Sequence, residues 1–243
     1  MLRRGARDGG PLLLTAPRPL DLTRRATAEG VATALLVALV VGSGIAAERL
    51  SPGDVGLQLL ENSLATGLGL TALVATFLAA SGAHLNPVVT LVERLHGTRT
   101  TRDTVAYIAA QVTGACVGAV AANLMFDLPA ITLSTHHRGS AGLWLGEVLA
   151  TFGLVTVILG VVRSGRLDAV PLAVGGYIAA AYWWTSSTSF ANPAVTVGRM
   201  LTDTFAGIQP GSAPLFVVAQ LVGGGLAVAF ARFVFPPSEV VDP

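Results

Sequence analysis

Reduced to charged and uncharged positions, the chain is a series of long blanks. No Asp, Glu, Lys or Arg falls within 30–47, 62–92, 104–126, 169–198 or 204–231, and 139–162 is interrupted only by Glu147. A helix needs about 20 apolar residues to cross a bilayer, so each blank holds at least one span. Blanks 62–92 and 169–198 are too long for one untilted span and too short for two. Each contains an Asn-Pro pair, Asn86-Pro87 and Asn192-Pro193. Proline lacks a backbone donor and restricts the residue before it, which disfavours a continuous helix through either site. Asn is also a strong N-cap, and Pro is favoured at the first helical position. The pattern therefore predicts, in each long blank, a full span, a break (Ser81-Gly82-Ala83; Thr185 to Ser189) and a short helix starting at Asn-Pro in mid-membrane.

The same signatures occur twice in the same order. Glu29-x-x-x-Thr33 is repeated as Glu147-x-x-x-Thr151, and His84-Leu-Asn-Pro-Val-Val-Thr90 as Phe190-Ala-Asn-Pro-Ala-Val-Thr196. Ala110-Gln111-x-x-Gly114 returns as Ala219-Gln220-x-x-Gly223. Three spans per copy is an odd number, so the second copy must enter the membrane upside down. Such inverted repeats place their special sites near the midplane, where the broken helices meet. The expected fold is all-α and membrane-embedded: six transmembrane helices plus two re-entrant half-helices in an inverted repeat. Its expected divisions are a basic disordered tail over 1–25, a channel domain over 26–235 (repeats near 26–126 and 140–235) and a short tail over 236–243.

Composition narrows the function. Only 12% of the 243 residues are charged, about half the share of a soluble domain. A net charge of +1 gives no footprint for a nucleic acid. The single cysteine, Cys116, excludes a disulfide framework and a Cys metal site. No Ser/His/Asp or metal-ligand cluster and no nucleotide motif is present, so neither an enzyme nor a cofactor is expected. Leu12 to Leu14, flanked by prolines, is too short for a secretory core. All basic residues are Arg, and those of the N-terminal tail, Arg94/Arg99/Arg102 and Arg163/Arg166 fall on one predicted side. The positive-inside rule puts that side, and both termini, in the cytoplasm.

The paired boxes, in register with the Glu, Thr and Gln repeats, resemble those of the aquaporin and aquaglyceroporin family of major intrinsic proteins. The resemblance covers roughly residues 25–235. It implies a pore in each subunit of a homotetramer in the cell membrane, here a bacterial inner membrane, passing water and small neutral solutes through the bilayer. It assigns the pore boxes to Asn86, Pro87 and Val88 and to Asn192, Pro193 and Ala194. It makes Glu29, Glu147, Gln111 and Gln220 buried scaffold residues that accept or arrange loop N–H groups. Carried across by counting from the boxes, the family's outer constriction falls on Thr66, Ala180, Ser189 and Val195. Most relatives carry arginine where this chain has Val195; Arg199 follows one helical turn later, on the same face. Val88 in the first box is a second, milder departure.

For His84, a place on the lumen and a structural hydrogen bond are both open readings. His136 and His137 read as solvated loop residues, Trp183 and Trp184 as interfacial anchors with a lumen-facing Trp184 as the alternative, and the Gly-rich patches as close helix contacts. Functionally, a passive channel for water, glycerol-like polyols and neutral metalloid hydroxides such as arsenous acid leads, because no constriction residue so assigned is aromatic. A water-selective channel narrowed by Arg199 is the near alternative. A secondary transporter on an inverted repeat and a pore-dead structural protein are the readings from other classes.

Overall fold

The computed structural model describes residues 20–235, all of its regular structure helical. Eight α-helices follow in chain order: α1 (Leu22–Leu50), α2 (Val55–Ser81), α3 (Pro87–Leu95), α4 (Thr101–Met125), α5 (Ala141–Arg163), α6 (Val170–Trp184), α7 (Pro193–Arg199) and α8 (Ala213–Val234). A 3-10 turn, Leu167–Ala169, leads into α6. α1, α2, α4, α5 and α8 are long and apolar enough to cross a membrane. The sixth span, α6, has only 15 residues, short of the full span expected after residue 169.

Local chemistry sets the ends. Asp54, Thr100 and Ser140 cap α2, α4 and α5 through side-chain oxygens that accept N–H groups of the first turn. Asp21 does the same for α1, accepting from the Arg24 N–H at 2.9 Å. Residues 22–25 are therefore helical, and the expected disordered tail cannot extend to residue 25; its remainder and the tail over 236–243 lie outside the described residues. The half-helices begin where Asn-Pro predicts. Asn86 Oδ1 accepts from the Val88 N–H at 2.9 Å, and Asn192 Oδ1 from the N–H groups of Ala194 and Val195 at 3.0 and 3.3 Å.

The packing repeats with the sequence. α1 lies along α4 and against α2, as α5 lies along α8 and against α6. Each half-helix packs on the third span of both copies: α3 on α4 and α8, α7 on α8 and α4. α2 meets α6 and α3 meets α7, so each of these pairs joins an element to its own repeat. The close crossings use small residues. A Cβ on Gly114 would strike the carbonyl of Gly30, and one on Gly223, its counterpart in the second copy, the carbonyl of Val148.

Candidate functional site

The two breaks before the half-helices have an uncommon backbone. Ala83, Leu85, Ser189 and Ala191 all have positive φ, between 48° and 52°. Such residues cost of order 1–3 kcal/mol each unless the surroundings impose them. Here a buried carboxylate does so. Glu29 Oε1 accepts the His84 N–H at 2.9 Å and the Ser81 hydroxyl at 2.6 Å. Its Oε2 accepts the Leu85 N–H and the Gln111 amide, both at 2.7 Å. The second copy repeats the arrangement: Glu147 accepts the N–H groups of Phe190 and Ala191 at 2.9 Å and the Gln220 amide at 2.6 Å. Gln111 and Gln220 also donate to Thr90 and Thr196, so loop, half-helix and third span are tied at one carboxylate. With their N–H groups drawn outward to Glu29 and Glu147, the loops leave the carbonyls of Ala83, His84, Ser189 and Phe190 without a partner among the described residues.

The boxes meet directly. The Asn86 amide donates to the carbonyl of Ala191 at 2.8 Å, and the Asn192 amide to that of Leu85 at 2.7 Å. Each amide thus spends one N–H on the opposite loop, and its other proton remains for the cavity that both residues line. That cavity has a volume of about 90 Å3. One wall is apolar, from Leu36 and Val40 of α1, Leu70 and Val74 of α2, and Val170, Val174 and Ile178 of α6. The polar surface comes from Gly82 to Asn86, Ser189 to Asn192, Thr66, Tyr182 and Arg199.

Most of the expected pore residues border this one cavity: Thr66, His84, Asn86, Ser189, Asn192, Val195 and Arg199. Pro87, Pro193 and Ala194 are buried behind them. Two expectations are displaced. Ala180 is on the exposed face of α6; the residue that faces Thr66 is Tyr182, whose hydroxyl lies 3.2 Å from the Thr66 hydroxyl. Counting back from the box passed any difference in loop length into the helix register. The signal that finds Tyr182 is the four-residue period Val170, Val174, Ile178, Tyr182. An aromatic ring therefore does border the lumen. Val88 points away from it and packs with Val92, Val155, Leu159 and Val228, while Val89 takes the place in the wall.

His84 combines both of its open readings: it borders the cavity, and its Nδ1 lies 3.0 Å from the Thr90 hydroxyl. Trp183 donates to Ser63 at 3.0 Å, and Trp184 is half exposed, outside the cavity wall. Tyr107, unremarked in the sequence, braces the first break by donating to the carbonyl of Ser81 at 2.9 Å, where Arg99 also donates at 2.8 Å. Among the described residues no three His, Cys, Asp or Glu side chains gather as a metal site.

A family model described as major intrinsic protein matches residues 17–188. The chain belongs to the major intrinsic protein family. It is 51% identical over 221 residues to the aquaglyceroporin AqpS of Rhizobium meliloti, covering 91% of this chain and 94% of that one. Human aquaporin-1 is 30% identical, over 90% of this chain and 85% of its own. The X-ray structure of the aquaglyceroporin from Plasmodium falciparum superposes with a TM-score of 0.68 at 21% identity, covering 89% and 98% of the two chains. It has the same fold: six membrane helices and two half-helices in an inverted repeat. This major intrinsic protein is a membrane channel for water and small solutes, and not an enzyme.

Proposed function

We propose that the chain is a passive, ion-excluding pore of the aquaglyceroporin kind, with its narrow region formed by Thr66, Tyr182, Ser189, Val195 and Arg199. The observation that carries this reading is the wall of the cavity. The Thr66 and Tyr182 hydroxyls beside the Val195 isopropyl group make an amphipathic slot, suited to a solute with hydroxyls on one side and carbon on the other. Glycerol has that form, and neutral metalloid hydroxides such as arsenous acid fall in the same size class. The 51% identity to a protein named aquaglyceroporin supports the same choice. Against alternating access, Glu29 and Glu147 are already engaged by loop N–H groups and glutamine amides, so neither is free to serve as a coupling site.

Water selectivity is the second reading, favoured by Tyr182 and the buried Arg199 in the wall. We further propose a homotetramer in a bacterial inner membrane, with both termini in the cytoplasm and the boxes at the bilayer midplane. The deciding experiment is flux into proteoliposomes with water, glycerol and arsenous acid run in parallel. Glycerol passage beside water is expected, and Val195→Arg should cut glycerol more than water by narrowing the slot and adding donors. A wild type that passes water alone, and an Arg199→Ala variant that then admits glycerol, would instead select the water-channel reading.

A further inference from the structure

Two arginines approach the ring of Phe190, which borders the lumen, and neither has an acidic partner among the described residues. Arg199 is only 3% exposed, yet it borders the cavity. Its Nε donates to the carbonyl of Ala206, the one hydrogen bond its guanidinium makes among the described residues. The guanidinium carbon lies 3.4 Å from the centroid of the Phe190 ring. Arg138 approaches the same ring at 5.2 Å and donates from Nε to the carbonyl of Gly207 at 2.9 Å. Arginine stays protonated in proteins, so two positive charges flank Phe190 and one of them, on Arg199, borders the lumen.

The nearby carboxylates are occupied elsewhere. Glu147 holds the Phe190 and Ala191 N–H groups, Glu48 the Phe205 N–H, and Asp203 the backbone and hydroxyl of Thr135. None forms an ion pair with either arginine among the described residues. The Phe190 face, the backbone carbonyls and the C-terminal end of α7 offset part of the charge, the helix end contributing about half an elementary charge. A buried cation left uncompensated is costly, and the terminal nitrogens of Arg199, a residue that borders the lumen, make no hydrogen bond among the described residues.

We propose that this mouth binds a small monovalent inorganic anion on Arg199, with Arg138 adding its charge from beside the shared Phe190 ring, and that the bound anion slows neutral-solute flux because it sits in series with the pore. The proposal rests on the channel reading for its effect on flux, though not for the binding itself. The anion docks rather than passes: beyond Val195 the apolar wall of Leu70, Val74 and Val174 offers little to replace its hydration. Planar guanidinium groups match planar oxyanions, which makes nitrate the probe and bulky gluconate the control.

The test uses the full chain in proteoliposomes, with nitrate or gluconate on both sides at equal ionic strength and osmolarity. Water permeability should fall with nitrate along a saturating curve, with anion occupancy reaching roughly half at its dissociation constant. Arg138→Gln should shift that curve to roughly ten-fold higher nitrate, the consequence of losing one nearby positive charge. Arg199→Lys, which keeps the charge but loses the planar fork, should retain the saturation at higher nitrate. Independently of flux, nitrate should raise the Tm of the detergent-solubilised wild type relative to gluconate. Equal permeability and equal Tm in the two salts, or a nitrate curve untouched by Arg138→Gln, overturns the site. A nitrate flux through the vesicles overturns docking. Water flux no greater than in empty vesicles defeats the channel reading alone, and the Tm comparison then still decides the anion site.

Discussion

Val88 shows how one side chain is accommodated by another far away in the sequence. It adds two methyl groups relative to the alanine of the second box, and Gly224 of α8 receives them: a Cβ on Gly224 would collide with Val88 Cγ1. Gly224→Ala should therefore destabilise the fold by about 1–3 kcal/mol, the usual cost of overpacking a tight core. Val88→Ala removes the obstacle, so the double variant should recover most of that loss. Thermal unfolding of the three variants in detergent measures the coupling. Additive losses in the double variant would show that the two residues do not compete for one space. Tyr182 acts at the same scale. Tyr182→Ala removes the ring opposite Thr66 and should raise glycerol flux more than water flux in vesicle swelling; equal gains for both solutes would argue that the constriction lies elsewhere.

Among elements, each break and its half-helix are held by one glutamate. Replacing either carboxylate with an amide leaves a single acceptor oxygen and turns an NH2 group toward backbone donors. Glu29→Gln and Glu147→Gln should each cost about 2–5 kcal/mol, given roughly 1.5–3 kcal/mol per hydrogen bond to a charged group. Denaturant titration in detergent tests this, and a variant as stable as the wild type would remove the carboxylate from the account of the strained loops. The segment after α4 is clasped to the segment after α7 in another way. Thr132 and Ser134 donate to the carbonyls of Leu201 and Met200 at 3.1 and 3.0 Å, and Asp203 accepts the Thr135 N–H at 2.8 Å. That N–H, with the Thr135 hydroxyl and His136 nearby, holds the Asp203 carboxyl below its ordinary value. A lowered folded value means that the contribution is complete above the ordinary carboxylate range and is lost as pH falls through the lowered one. Amide exchange over 132–136 should thus be more protected at about pH 6 than near pH 3, once corrected for intrinsic rates. Asp203→Asn should flatten the difference, and an unchanged profile in that variant would dismiss the clasp. Much of this level is legible in the sequence, because caps and proline act locally. Asn86-Pro87 and Asn192-Pro193 mark the half-helix starts, and Glu, Gln and Thr recur in step with them. The lumen position on α6 is not legible by counting: Ala180 and Tyr182 differ by a loop length that no local rule sets, and only the four-residue period along α6 separates them. The start of α1 was hidden for a different reason. Arg24 and Arg25 read as tail, yet the Asp21 cap and the Arg25–Asp103 pair at 3.2 Å bring them into the helix.

At the scale of the whole molecule, the inverted repeat turns two local caps into one electrostatic barrier. α3 and α7 begin at the shared contact of Asn86 and Asn192, so their positive ends, each worth about half an elementary charge, face one point in the pore. In the proposed pore a cation or hydrated proton meets that field in addition to the charge of Arg199 in the wall, while a neutral solute pays little. In the proposed pore the remaining amide protons of Asn86 and Asn192 would orient a passing oxygen toward the boxes and so interrupt a proton-conducting chain of water. Asn192→Asp tests both parts of the argument in one variant. The carboxylate retains the cap on the Ala194 N–H but loses the donor that now reaches the Leu85 carbonyl at 2.7 Å, and it adds a negative charge beside both helix ends. Water and glycerol permeability should fall, because the lumen loses a donor and the opposing loop loses its tie. Proton leak, read with a trapped pH dye in the same vesicles, should rise, because the added charge offsets the positive field. Asn192→Ser, which caps well without charge, should lower solute flux with no such rise. A proton leak that is the same in the wild type and both variants, at matched insertion, would mean that the paired helix ends are not the barrier.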